Sequence, residues 1–152
     1  MPITLNQDEL EEFLNQERTV ILCTRTKRGQ PFAIPLWFVY QDGKLYVRTR
    51  PHGQTARNLR NDPRVCCVVE TGETFPELKA ASLLGMCTLV EDEAEQRQVA
   101  DLFAAKYAAG RSATSTGSAS AASPSSGRQT ERAVFKVTPR KVITWDNAKI
   151  RR

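Results

Sequence analysis

The chain is built from short apolar segments, each bounded by glycine, proline or polar turn residues, and this division restricts the folds that it can adopt. The segments RTVILCTRT, PFAIPLWFVY, KLYVRTR and RVCCVVET are rich in β-branched and aromatic residues, which is the composition of β-strands. Asp42 and Gly43 separate the second and third segments and give the Asp-Gly signal of a tight hairpin. We therefore predict four strands in the first half of the chain.

Two longer apolar segments follow in the second half. The segment ELKAASLLGMCTLVED predicts one long, bent strand, and Gly85 inside it marks a bulge or a close backbone approach. The segment RAVFKVTPRKVITWDN predicts two further strands around Pro139. Pro35, in the second strand, is expected at an edge or a bulge because proline cannot donate to a sheet ladder. About six or seven strands joined mostly by hairpins predict a mainly β (α+β) fold, a small antiparallel barrel.

Three helices are predicted between the strands. Asn6 and Glu9 form a capping box ahead of an apolar helical stripe that begins at Leu10. A second helix lies in GQTARNLRNDP and stops at Pro63. Residues 92–107 carry apolar side chains at helical spacing and predict the third helix.

The length of the chain predicts one domain. Its 152 residues suffice to bury one core and are too few for two, so residues 1–152 are assigned to a single domain. Residues 110–130 interrupt it, because 18 of these 21 residues are Ser, Ala, Gly, Thr or Pro and offer too little apolar surface to offset the entropy of ordering. We expect this stretch to be a flexible surface insertion.

The sequence predicts a soluble protein. No apolar run reaches the roughly 20 residues that a membrane-spanning helix needs, so no membrane is expected among its partners. The first residues, MPITLNQDELEEFL, are acidic and lack the basic and apolar regions of a secretory signal. The cytoplasm is therefore the expected location.

Positive charge is concentrated in one stretch of the chain. Lys and Arg outnumber Asp and Glu by 22 to 17, which gives a formal net charge of +5. Between Arg48 and Arg64 the only acidic residue is Asp62. Such a stretch suits an anionic ligand or nucleic acid. Nucleic acid is not favoured, because the arginines do not alternate with aromatic residues as a stacking surface requires.

The same stretch predicts an anion site at the start of the second helix. A helix that begins near Thr55 leaves its first backbone N–H groups without partners inside the helix, and Gly53 allows a ligand to approach the backbone. Arg48, Arg50 and Arg57 are placed so that their guanidinium groups can converge there. A plain alternative remains, in which the arginines of this helix form a solvated face. His52 is interpreted as a loop residue.

The sequence offers no catalytic group and no metal site of its own. The chain has one histidine, and no Ser/His/Asp or Cys/His set can be assembled from the pattern. Its four cysteines show no C-x-x-C spacing and are interpreted as buried thiols. A bound cofactor is therefore expected to carry any reaction.

Three motifs resemble a known family when taken in order. TARNLRNDPRVCCVVETGE, ELKAASLLGMCTLVED and VTPRKVITWDNAKI resemble segments of the pyridoxamine-phosphate-oxidase-like split barrels, in particular their flavin/deazaflavin oxidoreductase branch. The resemblance implies an FMN-binding type of split barrel that forms a homodimer, with the cofactor in a groove between the subunits. It implies coenzyme F-420, a deazaflavin, or FMN as that cofactor, and F-420 is favoured because the terminal motifs resemble the branch that often uses it.

The resemblance also implies which residues hold the cofactor. Strand two would lie along the ring, and strand three with the following turn would hold the phosphate. Residues near the end of the chain would complete the site, from the other subunit if the groove is shared. Packing in the barrel is an alternative role for both tryptophans. The implied cofactor-binding residues are Pro35, Leu36, Trp37, Val47, Arg48, Thr49, Arg50, Gly53, Gln54, Thr55, Ala56, Arg57, Trp145 and Lys149, with Arg151 beside them.

One position departs from the family pattern. Family members commonly carry a lysine where this chain has Thr55. Loss of a charge-assisted hydrogen bond to phosphate costs about 1.5–3 kcal/mol, or roughly ten- to a hundredfold in affinity, unless a neighbouring arginine compensates. Two hypotheses therefore stay open: an oxidoreductase that transfers a hydride between F-420 or FMN and an unsaturated small molecule, and a non-catalytic protein that binds or stores flavin or haem.

Overall fold

The computed structural model describes residues 3–113 and 132–150. The strands within these residues are β1 Thr19–Arg25, β2 Pro31–Gln41, β3 Lys44–Thr49, β4 Arg64–Thr71, β5 Lys79–Leu89 and β6 Ala133–Asp146. These six strands form a closed antiparallel barrel in the order β1-β2-β3-β6-β5-β4. The predicted antiparallel barrel is confirmed.

The described residues also contain the three expected helices. They are α1 Gln7–Gln16, α2 Gln54–Asn61 and α3 Glu93–Ala113. The side chain of Asn6 caps α1 by accepting a hydrogen bond from the Glu9 N–H at 2.8 Å. The first four residues of the predicted insertion at 110–130 belong to α3, and the rest of that insertion lies outside the described residues. Across 3–113 and 132–150, no helix is long and apolar enough to cross a membrane.

Alternate side chains of the strands fill the barrel, as the two-residue period of a strand requires. On β1, Val20 and Leu22 are fully buried, whereas Ile21 and Cys23 are only partly buried and lie on the outer face. Helix α1, which precedes β1, and helix α2, which precedes β4, add side chains to the same core. The main core cluster includes Phe13, Leu14, Val20, Leu22, Phe38, Leu45, Val47, Leu59, Cys67, Val69, Leu83, Phe135 and Val137.

Helix α3 packs against the outside of the barrel. Its buried side chains and those of the underlying strands form a second cluster of Val39, Tyr46, Val90, Val99, Phe103 and Tyr107. The Tyr46 hydroxyl donates a hydrogen bond to Glu95 of α3 at 2.8 Å, and Lys136 of β6 forms an ion pair with the same carboxylate at 3.1 Å. Strand β3 therefore separates two environments: Leu45 and Val47 lie in the barrel core, and Tyr46 between them faces α3.

The prediction of two strands around Pro139 is wrong, because β6 is one strand that continues through it. The pairing with β5 shifts there: Leu84 pairs with Lys141, and Gly85 pairs with Pro139. Arg140 is the extra residue of this bulge, and the bulge lets the strand bend without ending. The expected bulge at Gly85 is confirmed. A Cβ at this glycine would lie 2.8 Å from the Pro139 Cα, so only glycine fits against β6.

The first half of β2 has one free side. Residues 31–37 pair with β1, and β3 pairs only with residues 38–41 among the described strands. Pro35 pairs with Ile21 of β1 in this half. It therefore lies at an edge, as a residue without an N–H group requires.

Replacement of Gly85 by alanine should destabilise the barrel. The new methyl group would meet the backbone of Thr138 and Pro139, and a fixed backbone cannot yield as a side chain can, so we expect a loss of about 1–3 kcal/mol in the free energy of unfolding. Gly53→Ala is the control, because its Cβ would meet the Arg50 Cβ at an ordinary 3.5 Å. Urea unfolding of both variants measures the difference. Equal losses would contradict the role given to Gly85.

Candidate ligand groove between the barrel and helix α3

Arg48 occupies the centre of the candidate site. It follows Tyr46 by two residues on β3 and projects toward α3, where its guanidinium carbon lies 4.0 Å from the centroid of the Phe103 ring. The Nε atom of Arg48 is buried and has no hydrogen-bond partner among the described residues. A buried donor without a partner costs roughly 1–3 kcal/mol. Arg48 as a whole is only partly buried, so the rest of its guanidinium group can offer N–H donors to an anionic ligand.

A second arginine lies close to Arg48. Burial lowers the pKa of Arg48, and the neighbouring positive charge of Arg132 lowers it further. In residues 3–113 and 132–150, no carboxylate lies within ion-pair distance of either guanidinium. Two neighbouring cations without a counter-ion raise the local positive potential and favour an anion.

These arginines line a cavity of about 1150 Å³ between α2, α3 and the start of β6. Among the described residues, its positive lining residues are Arg48, Arg60 and Arg132, and its one acidic lining residue is Glu91. The Arg60 side chain donates a hydrogen bond to the Pro51 carbonyl at 2.6 Å, which fixes its position beside the cavity. The described lining residues are Arg48, Pro51, His52, Arg60, Leu89, Val90, Glu91, Gln96, Ala100, Arg132, Ala133 and Val134.

A smaller aromatic cavity of about 430 Å³ adjoins the basic one. Arg48 and Ala100 line both cavities, so the two lie side by side along α3, and together they are called the groove. The remaining lining residues are Trp37, Phe103, Ala104, Tyr107 and Ala108. The groove is therefore flat and aromatic at one end and cationic at the other.

The aromatic end is a stack that reaches the surface at Trp37. The Trp37 and Tyr107 rings lie 4.2 Å apart at 7°, and the Phe103 and Tyr107 rings lie 5.8 Å apart at 18°. Trp37 remains 52% exposed, so much of its indole is open on the side of the free edge of β2. Trp37 therefore combines packing on Tyr107 with an indole surface that a ligand can reach.

The Tyr107 hydroxyl fixes α3 to the barrel. It accepts a hydrogen bond from the Phe38 N–H at 2.9 Å and lies 2.7 Å from the Arg18 carbonyl and 2.9 Å from the Phe38 carbonyl. Burial raises the pKa of Tyr107, so it stays a neutral donor. This residue therefore determines how α3 sits over Arg48 and Trp37.

Several side chains of the loop and helix start that were predicted to hold phosphate form hydrogen bonds with one another. Arg57 donates hydrogen bonds to the Gln54 side chain at 2.7 Å and to the His52 carbonyl at 3.4 Å. Gln54 in turn donates to Asn58, and Asn58 donates to the buried Thr24 hydroxyl of β1 at 3.0 Å. This relay holds the start of α2 in place while Arg57 and Gln54 stay at the surface.

The other predicted residues of this region differ in what they can offer a ligand. Val47, Thr55 and Ala56 have buried side chains, so only their backbone groups can face outward. Thr49 and Gly53 are partly exposed, and Arg50 is exposed. Gly53 caps α2 without a side-chain hydrogen bond, which leaves room at the helix start.

The predicted carboxy-terminal residues lie away from this groove within one chain. Arg48 pairs with Val134 near one end of β6, whereas Trp145 pairs with Ala80 near the other end. Lys149 donates a hydrogen bond to the Thr4 carbonyl and forms an ion pair with Glu9. Arg151 lies outside the described residues. Within one copy of the chain, the strand register therefore keeps Trp145 and Lys149 away from Arg48.

An apolar outer face begins on the other side of Trp37. Cross-strand neighbours Ile21 and Val68 lie on this face, and Pro35 lies beside Ile21. The face continues over β5 and β6, where the register places Ser82 beside Ile143. The exposed large apolar residues on it are Trp37, Leu84 and Ile143. Trp37 therefore stands at the border between the groove and an apolar face of the barrel.

The cysteines divide between the core and this outer face. Burial raises the pKa of the Cys87 thiol to about 12 and that of Cys67 still higher. Cys23 and Cys66 are partly exposed register partners, so the interpretation as buried thiols holds for Cys67 and Cys87 only. Within the described part of the chain, no three His, Cys, Asp or Glu side chains are grouped so that they can hold a metal ion.

Residues 7–146 match the family described as pyridoxamine 5′-phosphate oxidase. The chain belongs to this family. No curated protein sequence matches it. The family's fold, a split barrel, is the one observed here.

Several solved structures have the same fold as this chain. A conserved hypothetical protein from Mycobacterium tuberculosis is 27% identical, with a TM-score of 0.78 over 95% of this chain and 87% of that one. An FAD-binding protein from Mesorhizobium loti is 24% identical, with a TM-score of 0.65 over 91% of this chain and 93% of that one. The haem storage protein HutZ from Vibrio cholerae is 19% identical, with a TM-score of 0.69 over 95% of this chain and 96% of that one.

The residues present fit a cofactor of the flavin type. A flavin nucleotide combines a flat ring with a phosphate, and the site combines the open indole of Trp37 with an arginine-lined cavity. Sequence reasoning named both residues but missed Arg132, and it assigned Phe103 and Tyr107 only to a helical stripe. The position of Arg132 directly before β6 could have indicated its role, because the start of β6 pairs with the end of β3 that carries Arg48.

Replacement of Tyr107 by phenylalanine should destabilise the attachment of α3. The change keeps the ring that stacks on Trp37 and removes the hydroxyl that bonds the Phe38 backbone, so we expect a loss of about 1–3 kcal/mol in unfolding free energy. Tyr46→Phe is the control, because its hydroxyl bonds Glu95 in a partly exposed position, where about 1 kcal/mol or less should be lost. A smaller loss for Tyr107→Phe than for Tyr46→Phe in urea unfolding would refute this role.

Proposed function

We propose that the protein is a flavin- or deazaflavin-dependent oxidoreductase that transfers a hydride between FMN or coenzyme F-420 and an unsaturated small molecule. The observation that carries the proposal is that the open indole of Trp37 and the cation Arg48 line the same cavity. The printed names of two structural neighbours, FAD-binding proteins from Mesorhizobium loti and Mycobacterium smegmatis, support a flavin. When bound, the cofactor ring supplies the hydride chemistry.

The protein's own residues bind and orient the two reactants. Pro35, Leu36 and Trp37 line the free edge of β2 and offer a flat, partly apolar surface to the ring. Arg48, Arg50 and the partly exposed Gly53 offer guanidinium and backbone donors to the phosphate. Residues of α3 line both cavities, so this helix would shield one side of the bound reactants from water and strengthen each electrostatic contact there.

We also propose that the protein acts as a homodimer through its apolar outer face. This face adjoins Trp37, so a second copy would cover the open side of the ring site. Trp145 and Lys149 lie far from Arg48 along β6 in one chain, and a two-fold interface offers a way to add them from the partner. The cofactor would then lie between the subunits.

A second candidate function is binding or storage of flavin or haem without turnover. His52 lines the basic cavity with Arg48 and Arg132, and histidine is a common axial ligand of haem iron. The arginines would pair with carboxylates of the porphyrin. The haem storage protein HutZ has the same fold. Thr55, in place of the usual lysine, is compatible with this candidate.

Cofactor titration distinguishes these candidates. The purified protein should quench its own tryptophan fluorescence when FMN or F-420 is added and should bind at least one of them at micromolar concentration. Trp37→Phe should weaken binding several-fold, because a stacked aromatic contact contributes about 0.5–1.5 kcal/mol. Phe75→Ala, at an aromatic residue that is 68% exposed away from the groove, is the matched control.

The outcomes of the titration are separable. Binding followed by oxidation of the reduced cofactor on addition of an enone or quinone supports the oxidoreductase. Binding with no turnover across such a panel, or a haem spectrum that His52→Ala abolishes, selects storage. The oxidoreductase proposal is refuted if neither FMN nor F-420 binds below high micromolar concentration.

The dimer has its own test. Ile143→Glu places a carboxylate on the exposed apolar face, where burial of an unpaired charge opposes association, so the variant should sediment as a monomer and bind cofactor more weakly than the wild type. Gln30→Glu, in the exposed turn between β1 and β2, provides a control with a new carboxylate outside this face. A wild-type protein that sediments as a monomer with cofactor bound would contradict the shared site.

A further inference from the structure

We propose that Cys23 and Cys66 form a two-thiol site that reacts with a small anionic disulfide and closes a reversible bond between β1 and β4. The two cysteines are register partners on these antiparallel strands, and both are partly exposed. Neither cysteine lines the groove. The reaction of this site needs no cofactor, so it stands or falls separately from the proposed function.

The strand register allows a disulfide between these two thiols. Directly opposed residues of antiparallel strands have Cα atoms about 4.5 or 5.5 Å apart, and both separations fall inside the range of roughly 4.4–6.8 Å that disulfides span. Opposed residues also project from the same face of a sheet. Rotation of the side chains is therefore sufficient to bring the two sulfur atoms together, and no backbone movement is required.

The surroundings of the two sulfur atoms divide their roles. Burial raises the pKa of Cys23, and the nearby charge of Cys66 raises it further, so little of Cys23 is present as the thiolate that attacks a disulfide. The Cys66 sulfur atom lies 3.4 Å from the Ser82 hydroxyl, which can donate a hydrogen bond to a thiolate. Cys66 therefore makes the first attack, and Cys23 makes the second.

Two arginines beside the thiols favour an anionic disulfide. Arg25 follows Cys23 by two residues on β1 and therefore lies on the same face. Arg64 precedes Cys66 by two residues on β4 and lies on that face too. Asp62 pairs with both arginines, at 3.6 and 2.8 Å, so two guanidinium groups share one carboxylate and a positive charge remains. Such an environment stabilises a thiolate and attracts an anion.

The reaction exchanges one disulfide for another. The Cys66 thiolate attacks one sulfur atom of the small disulfide, the bond between that molecule's sulfur atoms breaks, and one small thiolate leaves. The Cys23 thiolate then attacks the Cys66 sulfur atom and displaces the second small thiolate. Both leaving thiolates take up protons equal in number to those that the two cysteines release. The cysteine sulfur atoms are oxidised, and the small disulfide is reduced to two thiols.

The new bond would lie at the end of the shortest ladder between the described strands. Strand β1 pairs with β4 through residues 21–23 and 66–68, and Cys23 with Cys66 is the last of these pairs. A covalent link there joins two strands that close the barrel and restricts the unfolded chain. The oxidised protein should therefore unfold at a higher urea concentration than the reduced protein.

Oxidised glutathione, an anionic disulfide, is the probe, and intact mass spectrometry is the readout. The wild type should lose two hydrogen atoms and retain no glutathione, because Cys23 displaces it. Cys23→Ser should gain one glutathione and keep it, since no second thiol displaces it. Cys66→Ser should react more slowly than Cys23→Ser, and the reverse order would overturn the assignment of the first attack. Dithiothreitol should return the oxidised wild type to its original mass.

The preference for an anion has a matched control. Arg64→Gln should slow the reaction with oxidised glutathione several-fold, and it should slow the reaction with the neutral hydroxyethyl disulfide less. Arg97→Gln removes the same charge at an exposed position of α3, and it should change neither rate. Equal rates of wild type and Arg64→Gln with oxidised glutathione would overturn this preference.

Because the proposed dimer would cover the thiols, Ile143→Glu is tested beside the wild type. This variant opposes association, and it should form the same internal disulfide whether or not the wild type is slow. Thermal unfolding confirms that each variant is folded. A lasting glutathione adduct on the wild type, or no reaction of either protein, would overturn the two-thiol site. An oxidised protein that unfolds at the same or a lower urea concentration would overturn the role of the bond in holding the barrel closed.

Discussion

A single helix covers only part of the barrel's outer surface, and the candidate site exists because of that partial cover. The buried residues of α3 pack over Val39 of β2 and Tyr46 of β3, and the Tyr107 hydroxyl fixes the helix at Phe38. Beyond this point β2 is paired on one side only. Trp37 and Arg48 lie at the boundary between covered and uncovered surface, so both reach a ligand while the barrel core stays closed.

The electrostatics of the groove follow from a separation of charges along the chain. Three acids of the described residues are paired away from the groove: Asp62 with Arg64, Glu95 with Lys136, and Glu9 with Lys149. Arg64 hydrogen bonds lower the pKa of Asp62 to about 2. The cations around the groove are left without such partners. This imbalance, more than the net charge of the whole protein, determines the kind of ligand that the groove favours.

Much of the fold was predictable because local patterns agree with the tertiary structure. The alternation of Leu45, Tyr46 and Val47 separated the core face of β3 from the face under α3, and Gly85 marked its bulge. Pro139 misled the strand assignment, since a bulge with an opposing glycine tolerates proline inside one strand. Arg132 was not predictable as a site residue, because its proximity to Arg48 depends on the long-range pairing of β3 with β6.

The hydrogen bond between Asn58 and Thr24 determines how precisely α2 and the loop before it are positioned on the barrel. Both residues are buried, and the amide of α2 meets one hydroxyl of β1. Apolar contacts alone would tolerate a helix that slides or rotates by a fraction of a turn, whereas a directional bond in a low-dielectric interior loses most of its strength on such a shift. The hydrogen bond therefore fixes the position of α2 along its axis. In doing so it also sets the distance between the first turn of α2 and Arg48 of β3.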